Sequence, residues 1–102
     1  MAIRIVQTSK QRPSEDLWDW EVHLEGANDE LDQIKYVEYT LHETFSNPLR
    51  REYDRASGFA LKELGWGTFT LYFRINYKDV KRKDDYRELN LSFDKPAMVE
   101  VA

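Results

Sequence analysis

Apolar and polar residues alternate along the segment from Thr68 to Tyr77, the longest patterned run in the chain. A period of two places alternate side chains on opposite faces of an extended strand, whereas a helix would scatter them. The side chains predicted to face a core are Phe69, Leu71, Phe73, Ile75 and Tyr77. The run therefore predicts a β-strand that is buried on one face.

Shorter alternating runs predict further strands at Ile3–Val6, Trp18–Glu25, Ile34–Leu41 and Tyr86–Phe93. The polar stretch before Tyr86 joins the last of these to the Thr68 strand as a long hairpin, and residues 26–29 have the composition of a turn. Residues 57–64 fit either a strand or a helical face ended by Gly65, and residues 97–102 fit either a last strand or a tail. Seven or eight short antiparallel strands in 102 residues favour an all-β sandwich over a barrel, although strand spacing alone does not separate the two.

Chain length and residue content predict one domain, residues 1–102, with a single core. Aromatic residues make up 14% and hydrophobic residues 41% of the sequence, which is enough apolar material for a core that needs no covalent cross-link. Because the chain has no cysteine, and His23 and His42 are its two histidines, the sequence predicts neither a disulfide nor a metal site, and it implies no cofactor.

The formal net charge is −4 at pH 7. Binding to a phosphate backbone relies on many cationic side chains, so this charge disfavours nucleic acid as a partner and suits a basic peptide. The first residues lack the apolar stretch of a signal peptide, and no segment has the length needed to cross a membrane. These features predict a soluble, cytoplasmic protein with no membrane partner, and they leave the oligomeric state open.

Two short segments at strand ends differ from this scaffold. Leu41 to Phe45 closes one predicted strand, and Gly65-Trp66-Gly67 opens another. Each places an aromatic side chain, Phe45 or Trp66, in a loop beside small or hydrogen-bonding residues. Aromatic side chains in such loops meet ligands more often than they fill a core. We therefore interpret the two segments as parts of one binding site.

These segments resemble the YEATS domain, an immunoglobulin-like module that binds acylated lysine in eukaryotic chromatin proteins. The most specific parts are the Leu-His-x-Thr/Ser-Phe string at residues 41–45, Gly-Trp-Gly about twenty residues later, and the long alternating strand behind it. The likeness spans Trp20 to Tyr77, and the short chain is more similar to the prokaryotic branch of the family. The resemblance implies an immunoglobulin-like β-sandwich and assigns residues 57–64 to a strand.

The resemblance also implies roles for the site residues. Phe45 and Trp66 would flank a narrow channel that takes the flat acyl-amide of a modified lysine. The Trp66 backbone N–H would donate to the acyl oxygen, the Thr44 hydroxyl would accept from the amide N–H, and His42 would orient the Thr44 loop. Gly65 and Gly67 would let the backbone approach the ligand closely because they lack a Cβ. Flat crotonyl groups would stack over more of both rings than acetyl does, which predicts a preference for crotonyl.

One wall of the implied channel departs from the family pattern. Many eukaryotic members supply a further aromatic from the loop before the second strand, and this chain has Asp16-Leu17-Trp18-Asp19 in that stretch. Either Trp18 replaces that aromatic in binding the ligand or the wall is missing.

Each site residue also has an ordinary structural explanation. Trp66 fits a core tryptophan in a bulge, Phe45 a plug under its loop, and His42 a hydrogen-bonded residue at a strand end. Their co-occurrence in the family's order favours a binding site. The cations that follow the Phe45 loop are expected in solvated loops because acidic residues are interleaved with them, and they are Arg50, Arg51 and Arg55.

No catalytic motif accompanies the site. His42 and Thr44 lie two residues apart, but the chain lacks an acyl-transfer signature and a glycine-rich phosphate loop, so we expect no enzymatic activity. The sequence predicts a binding module for acylated lysine in a peptide or protein. The alternative is a sandwich that keeps the fold but binds another small planar ligand, or docks to a protein through a sheet edge.

Overall fold

The computed structural model describes residues 3–14 and 16–101. Within these residues the chain forms eight strands, one short helix and a 3-10 turn at Arg55–Ser57. In chain order the strands and helix are β1 (Ile3–Gln11), β2 (Trp18–Gly26), α1 (Asn28–Leu31), β3 (Ile34–Thr40), β4 (Leu49–Glu52), β5 (Leu61–Gly65), β6 (Thr70–Tyr77), β7 (Asp85–Asn90) and β8 (Ala97–Glu100). No helix in these two ranges is long and apolar enough to span a membrane.

The described strands form two four-stranded antiparallel sheets, with the orders β5-β2-β1-β8 and β4-β3-β6-β7. The β1–β2 hairpin pairs Ile3 with Gly26 and Gln11 with Trp18, and the predicted hairpin between β6 and β7 pairs Thr70 with Asn90. The all-β prediction of a sandwich with seven to eight antiparallel strands is therefore confirmed.

The core lies between the sheets and contains the faces that the alternation predicted. The buried residues of β2 and β6 are Trp20, Val22, Leu24, Leu71, Phe73, Ile75 and Tyr77. Side chains of this size each stabilise a fold by roughly 1.5–3 kcal/mol when they leave water. Phe69, just before β6, is only partly buried and packs against the edge of this core.

Backbone conformation explains why β5 is shorter than predicted. The strand expected over residues 57–64 begins only at Leu61. Gly58 and Phe59 both have positive φ, at 74° and 56°, which is incompatible with an extended strand. The turn predicted at residues 26–29 is partly replaced by α1. Of the two alternatives for residues 97–102, a last strand or a tail, the structure has the strand, β8.

Strand β4 was not predicted from the sequence. Arg50 and Arg51 lie on it rather than in a solvated loop, and β4 pairs with β3 at the edge of the second sheet. Arg51 donates to Glu38 at 2.8 Å, and Arg50 donates to Glu63 at 2.6 Å. Arg55, in the 3-10 turn, donates to Asp32 at 2.9 Å. The expectation of solvated loops was therefore wrong in placing Arg50 and Arg51 in a loop, whereas Arg55 does lie in a turn and the Arg51 side chain is 48% exposed.

Candidate functional site

The loop between β3 and β4 is closed at its base and compact. The Leu41 N–H donates to the Pro48 carbonyl at 2.8 Å, and the Phe45 N–H donates to the His42 carbonyl at 3.0 Å. Asn47 has a φ of 50°, a left-handed conformation that asparagine tolerates better than most residues. These features turn residues 42–47 back on themselves between two neighbouring strands.

His42 and Thr44 form a local hydrogen-bonded pair in this loop. The Thr44 N–H donates to His42 Nδ1 at 3.2 Å, and the Thr44 hydroxyl lies 2.9 Å from the same nitrogen. An Nδ1 that accepts from a backbone N–H must carry a lone pair, so in the neutral ring Nε2 carries the proton. In that tautomer the hydroxyl also donates to Nδ1, and its oxygen keeps lone pairs with which to accept a hydrogen bond.

The Phe45 ring packs against a cluster of aromatic rings. Its ring centroid lies 5.5 Å from that of Phe69 and 6.4 Å from that of Trp20. Phe69 and Trp20 contact each other at 5.8 Å with planes 73° apart, an edge-to-face arrangement that aromatic pairs favour. Because Trp20 is buried in the core, the cluster anchors the half-buried Phe45 ring from below.

Trp66 follows β5 and projects away from the core, with 81% of its surface exposed. A Cβ built on Gly65 would lie 3.4 Å from Trp20 Nε1 and 4.0 Å from Phe45 Cζ, whereas one built on Gly67 would meet nothing within 4 Å. The explanation of Trp66 as a core tryptophan in a bulge is therefore wrong. The Phe45 ring, in turn, reaches the backbone that carries Trp66.

The two loops border one cavity of about 620 Å³, within the usual range of ligand pockets. Its lining residues are His42, Thr44, Phe45, Ser46, Arg50, Glu63, Leu64, Gly65, Trp66, Gly67, Thr68 and Phe69. Six of the seven predicted site residues therefore line one space. The seventh, Trp18, pairs in register with Gly65, but its indole stacks on Phe93 at 4.9 Å.

Other cavity residues were not predicted as part of the site. Phe69 was assigned to the core from the alternation; it packs against the core but is only partly buried, and it also lines the cavity. Arg50 and Glu63 come from the edge strands of different sheets, β4 and β5, so no spacing in the sequence relates them. Among the described residues, no group of three or more His, Cys, Asp or Glu is arranged to hold a metal ion.

The architecture and the cavity define a class: an immunoglobulin-like β-sandwich domain with an aromatic cavity built from two of its loops. The family model of the prokaryotic YEATS domain matches residues 18–90. The chain belongs to this family, which confirms the resemblance seen in the sequence.

Curated relatives are longer eukaryotic proteins. The chain is similar to the Protein AF-9 homolog of Eremothecium gossypii, with 36% identity over 69 residues that cover 66% of this chain and 32% of that protein. It is also similar to the Transcription initiation factor TFIID subunit 14 of Schizosaccharomyces pombe, with 35% identity over 66 residues, 60% of this chain and 27% of that protein. The chain thus spans less than a third of the length of these two relatives.

Solved structures show the same fold. A Yaf9 YEATS domain recognizing an H3K122suc peptide superposes with a TM-score of 0.80 at 24% identity, covering 97% of this chain and 78% of that chain. A Yaf9 YEATS domain bound to H3K27ac superposes with a TM-score of 0.80 at 21% identity, covering 98% of this chain and 80% of that chain. At these identities the comparison supports the fold alone.

Proposed function

We propose that this domain binds an acylated lysine side chain of a peptide or protein in the cavity between the Phe45 loop and Trp66. The observation that carries the proposal is that Thr44, Phe45, Gly65 and Trp66 border one open cavity, although about twenty residues separate the two segments. Two structures of the Yaf9 YEATS domain, which has the same fold, show it recognizing H3K122suc and bound to H3K27ac, and this supports the ligand class.

The chemistry of the cavity suits a neutral amide. An acylated lysine has lost its ammonium charge, so its entry between aromatic rings avoids the desolvation cost that excludes unmodified lysine. A buried amide still needs partners, since an unpaired carbonyl or N–H costs about 1–3 kcal/mol. The Thr44 hydroxyl would donate a hydrogen bond to His42 and accept one from the ligand N–H, and the Trp66 backbone N–H would donate to the acyl oxygen.

The same cavity leads us to expect a preference for crotonyl over acetyl. A planar, unsaturated chain would contact more of the Phe45 and Trp66 rings, a gain of roughly 0.5–1.5 kcal/mol by analogy with aromatic pairs. An acetamide group has four heavy atoms, so even at about −1.5 kcal/mol per atom it supplies roughly −6 kcal/mol. We therefore expect dissociation constants on the order of micromolar or weaker.

Partner class and location follow the sequence predictions. The net charge of −4 suits a basic peptide and disfavours nucleic acid. We propose a binding role without catalysis, and a cytoplasmic location stays a prediction. Contact with a protein through a sheet edge is the second candidate, and the following experiment separates it from binding in the cavity.

The test is a titration of acetyl-, crotonyl- and unmodified-lysine peptides of one sequence, followed by calorimetry and by backbone NMR. Binding that requires acylation, with shifts centred on Thr44, Phe45 and Trp66, is the expected result. Trp66→Ala should abolish it, whereas Tyr86→Ala, which removes a ring that is 67% exposed on β7, should not. Shifts along an edge strand that do not depend on acylation would overturn the proposal and favour docking, and equal affinities for acetyl and crotonyl would contradict the expected preference.

A further inference from the structure

Arg50 makes an unusual set of contacts beside the cavity. Its Nε donates to the Asn47 carbonyl at 2.5 Å, and its Nη2 donates to the Ser46 carbonyl at 2.8 Å. Its Nη1 donates to Glu63 Oε2 at 2.6 Å. One guanidinium group thus holds two consecutive carbonyls of the segment that follows Phe45 and a carboxylate on β5.

Glu63 connects this group to the other side of the cavity. It lies on β5, two residues before Gly65, and its Oε1 accepts from the Leu64 N–H at 3.3 Å. The side chains of Arg50 and Glu63 are 25% and 23% exposed, so water screens their contact only in part. We call this arrangement, from the Ser46 and Asn47 carbonyls through Arg50 to Glu63, the Arg50–Glu63 bridge.

The bridge joins two strands that do not pair with each other in a sheet. β4 and β5 are edge strands of different sheets, so no ladder of backbone hydrogen bonds relates them. The segment that carries Phe45 precedes β4, and Trp66 directly follows β5. The separation of these two aromatic residues therefore depends on side-chain contacts across the gap between the sheets, and the bridge is one such contact.

From this geometry we infer that Arg50 is a positioning residue that, through Glu63, sets the width of the cavity between the Phe45 loop and Trp66. The inference rests on the proposed function for its consequence in binding, but not for its effect on the loop. A planar guanidinium group can serve carbonyls and a carboxylate at once in fixed directions, whereas the ammonium group of lysine is a point charge on a flexible stem. Arg50→Lys should therefore keep the charge and lose the geometry.

The first experiment needs no ligand. Backbone and indole ¹⁵N relaxation should show increased motion at residues 43–47 and at Trp66 in Arg50→Lys. The matched control is Arg51→Lys, because Arg51 is the next residue on β4, pairs with Glu38 at 2.8 Å, and does not border the cavity. Equal relaxation at these residues in both variants and in the wild type would overturn the inference.

The second experiment measures affinity for the crotonyl-lysine peptide. We expect Arg50→Lys and Glu63→Gln each to weaken binding by roughly three- to tenfold, and the double variant to lose less than the product of the two. Loss in Arg50→Lys alone, with Glu63→Gln at wild-type affinity, would show that Arg50 does not act through Glu63 and would overturn the inference. Thermal unfolding of each variant verifies that it is folded. If the wild type binds no acylated peptide, the proposed function fails, and the relaxation comparison still decides whether the bridge orders the loop.

Discussion

In the binding mode proposed above, recognition of the ligand amide depends at the residue scale on the Thr44 hydroxyl. Its proton is directed to His42 Nδ1, 2.9 Å away, so its oxygen is left to accept from a ligand N–H. Thr44→Val preserves the branched shape and removes this acceptor. We expect affinity for a crotonyl-lysine peptide to fall by about tenfold, the equivalent of one lost hydrogen bond of about 1.4 kcal/mol.

Calorimetry on Thr44→Val and Thr44→Ser checks this prediction. Serine keeps the hydroxyl and should bind within about twofold of the wild type, since its proton can still reach His42. Because Thr44 is exposed, neither variant should lose much stability. Wild-type affinity in Thr44→Val would show that the ligand amide finds another acceptor.

Two glycines predict opposite outcomes for the same substitution. Gly58 has a φ of 74°, and an added Cβ would lie 2.7 Å from the Leu24 carbonyl oxygen, so Gly58→Ala combines strain with a backbone clash. We expect a loss of about 2 kcal/mol or more in the free energy of unfolding. Gly67→Ala meets open space and should keep wild-type stability in urea unfolding. Equal stability of the two variants would show that the 54–59 turn relaxes freely.

At the residue scale, the sequence identified half of the residues that line the cavity, but not the ion pair that links its two sides. Phe45 and Trp66 could be predicted because aromatic residues beside loop signals are unusual, and the motif order relates the two segments. Trp18 could not be placed, since its stacking on Phe93 joins segments far apart in the chain. Arg50 and Glu63 were not predicted because charged side chains show no periodicity that reveals a partner on another sheet.

At the scale of elements, β3, β4 and β6 are joined on their outer face by ion pairs as well as by backbone ladders. Glu38 on β3 lies 2.8 Å from Arg51 of β4 and 3.1 Å from Arg74 of β6, and its side chain is 13% exposed. The hydrogen bond from Arg51, aided by Arg74, lowers the pKa of Glu38 below its ordinary 4.5 and outweighs the opposing effect of burial.

This lowered pKa predicts a pH-dependent contribution to stability. Because the unfolded chain takes up the proton at a higher pH than the folded one, the stabilisation is present above about pH 4.5 and is lost as the pH falls through the folded-state pKa. Glu38→Gln should lower the free energy of unfolding by about 1–2 kcal/mol at pH 7, and the difference from the wild type should shrink towards pH 3.

Urea unfolding at several pH values measures this difference. Glu88→Gln, at an exposed position of β7, is the matched control and should change stability little at any pH. If the difference in free energy of unfolding between wild type and Glu38→Gln stayed constant from pH 7 to pH 3, Glu38 would not be the source of the pH-dependent stabilisation.

Strand prediction succeeded where one face of the strand is buried, because apolar and polar residues then alternate along the sequence, as in β2, β3 and β6. It failed for β4, whose four residues Leu49 to Glu52 are mostly charged and lie at a sheet edge. An ion-paired edge strand and a solvated loop have the same composition, so pattern alone cannot separate them. The strand predicted at residues 57–64 starts late, at Leu61, because Gly58 and Phe59 have left-handed backbone conformations, and Phe59 gives no sign of that conformation in the sequence.

For the molecule as a whole, the passage of the chain from one sheet to the other depends on a buried contact. Between β4 and β5, Gly58 and Phe59 turn the chain, and the Gly58 carbonyl accepts from the Leu24 N–H of β2 at 2.8 Å. The Phe59 carbonyl accepts from the Tyr39 hydroxyl of β3 at 2.7 Å. Tyr39 is fully buried, and burial raises the pKa of its hydroxyl, which stays protonated as a donor. The turn is thereby attached to both sheets.

Removal of this single hydroxyl should therefore loosen the joint between the sheets. Tyr39→Phe leaves the buried Phe59 carbonyl without this donor, and we expect a loss of about 1–3 kcal/mol in the free energy of unfolding. Hydrogen exchange should also accelerate at the Leu24 and Phe59 amides, because the Leu24 N–H donates to the Gly58 carbonyl and the Phe59 N–H to the Asp54 carbonyl of this turn. Tyr72→Phe, which removes a hydroxyl from a ring that is 53% exposed on β6, should change neither quantity. If Tyr39→Phe is as stable as Tyr72→Phe and protects both amides equally well, the packing of the two sheets alone must hold this turn.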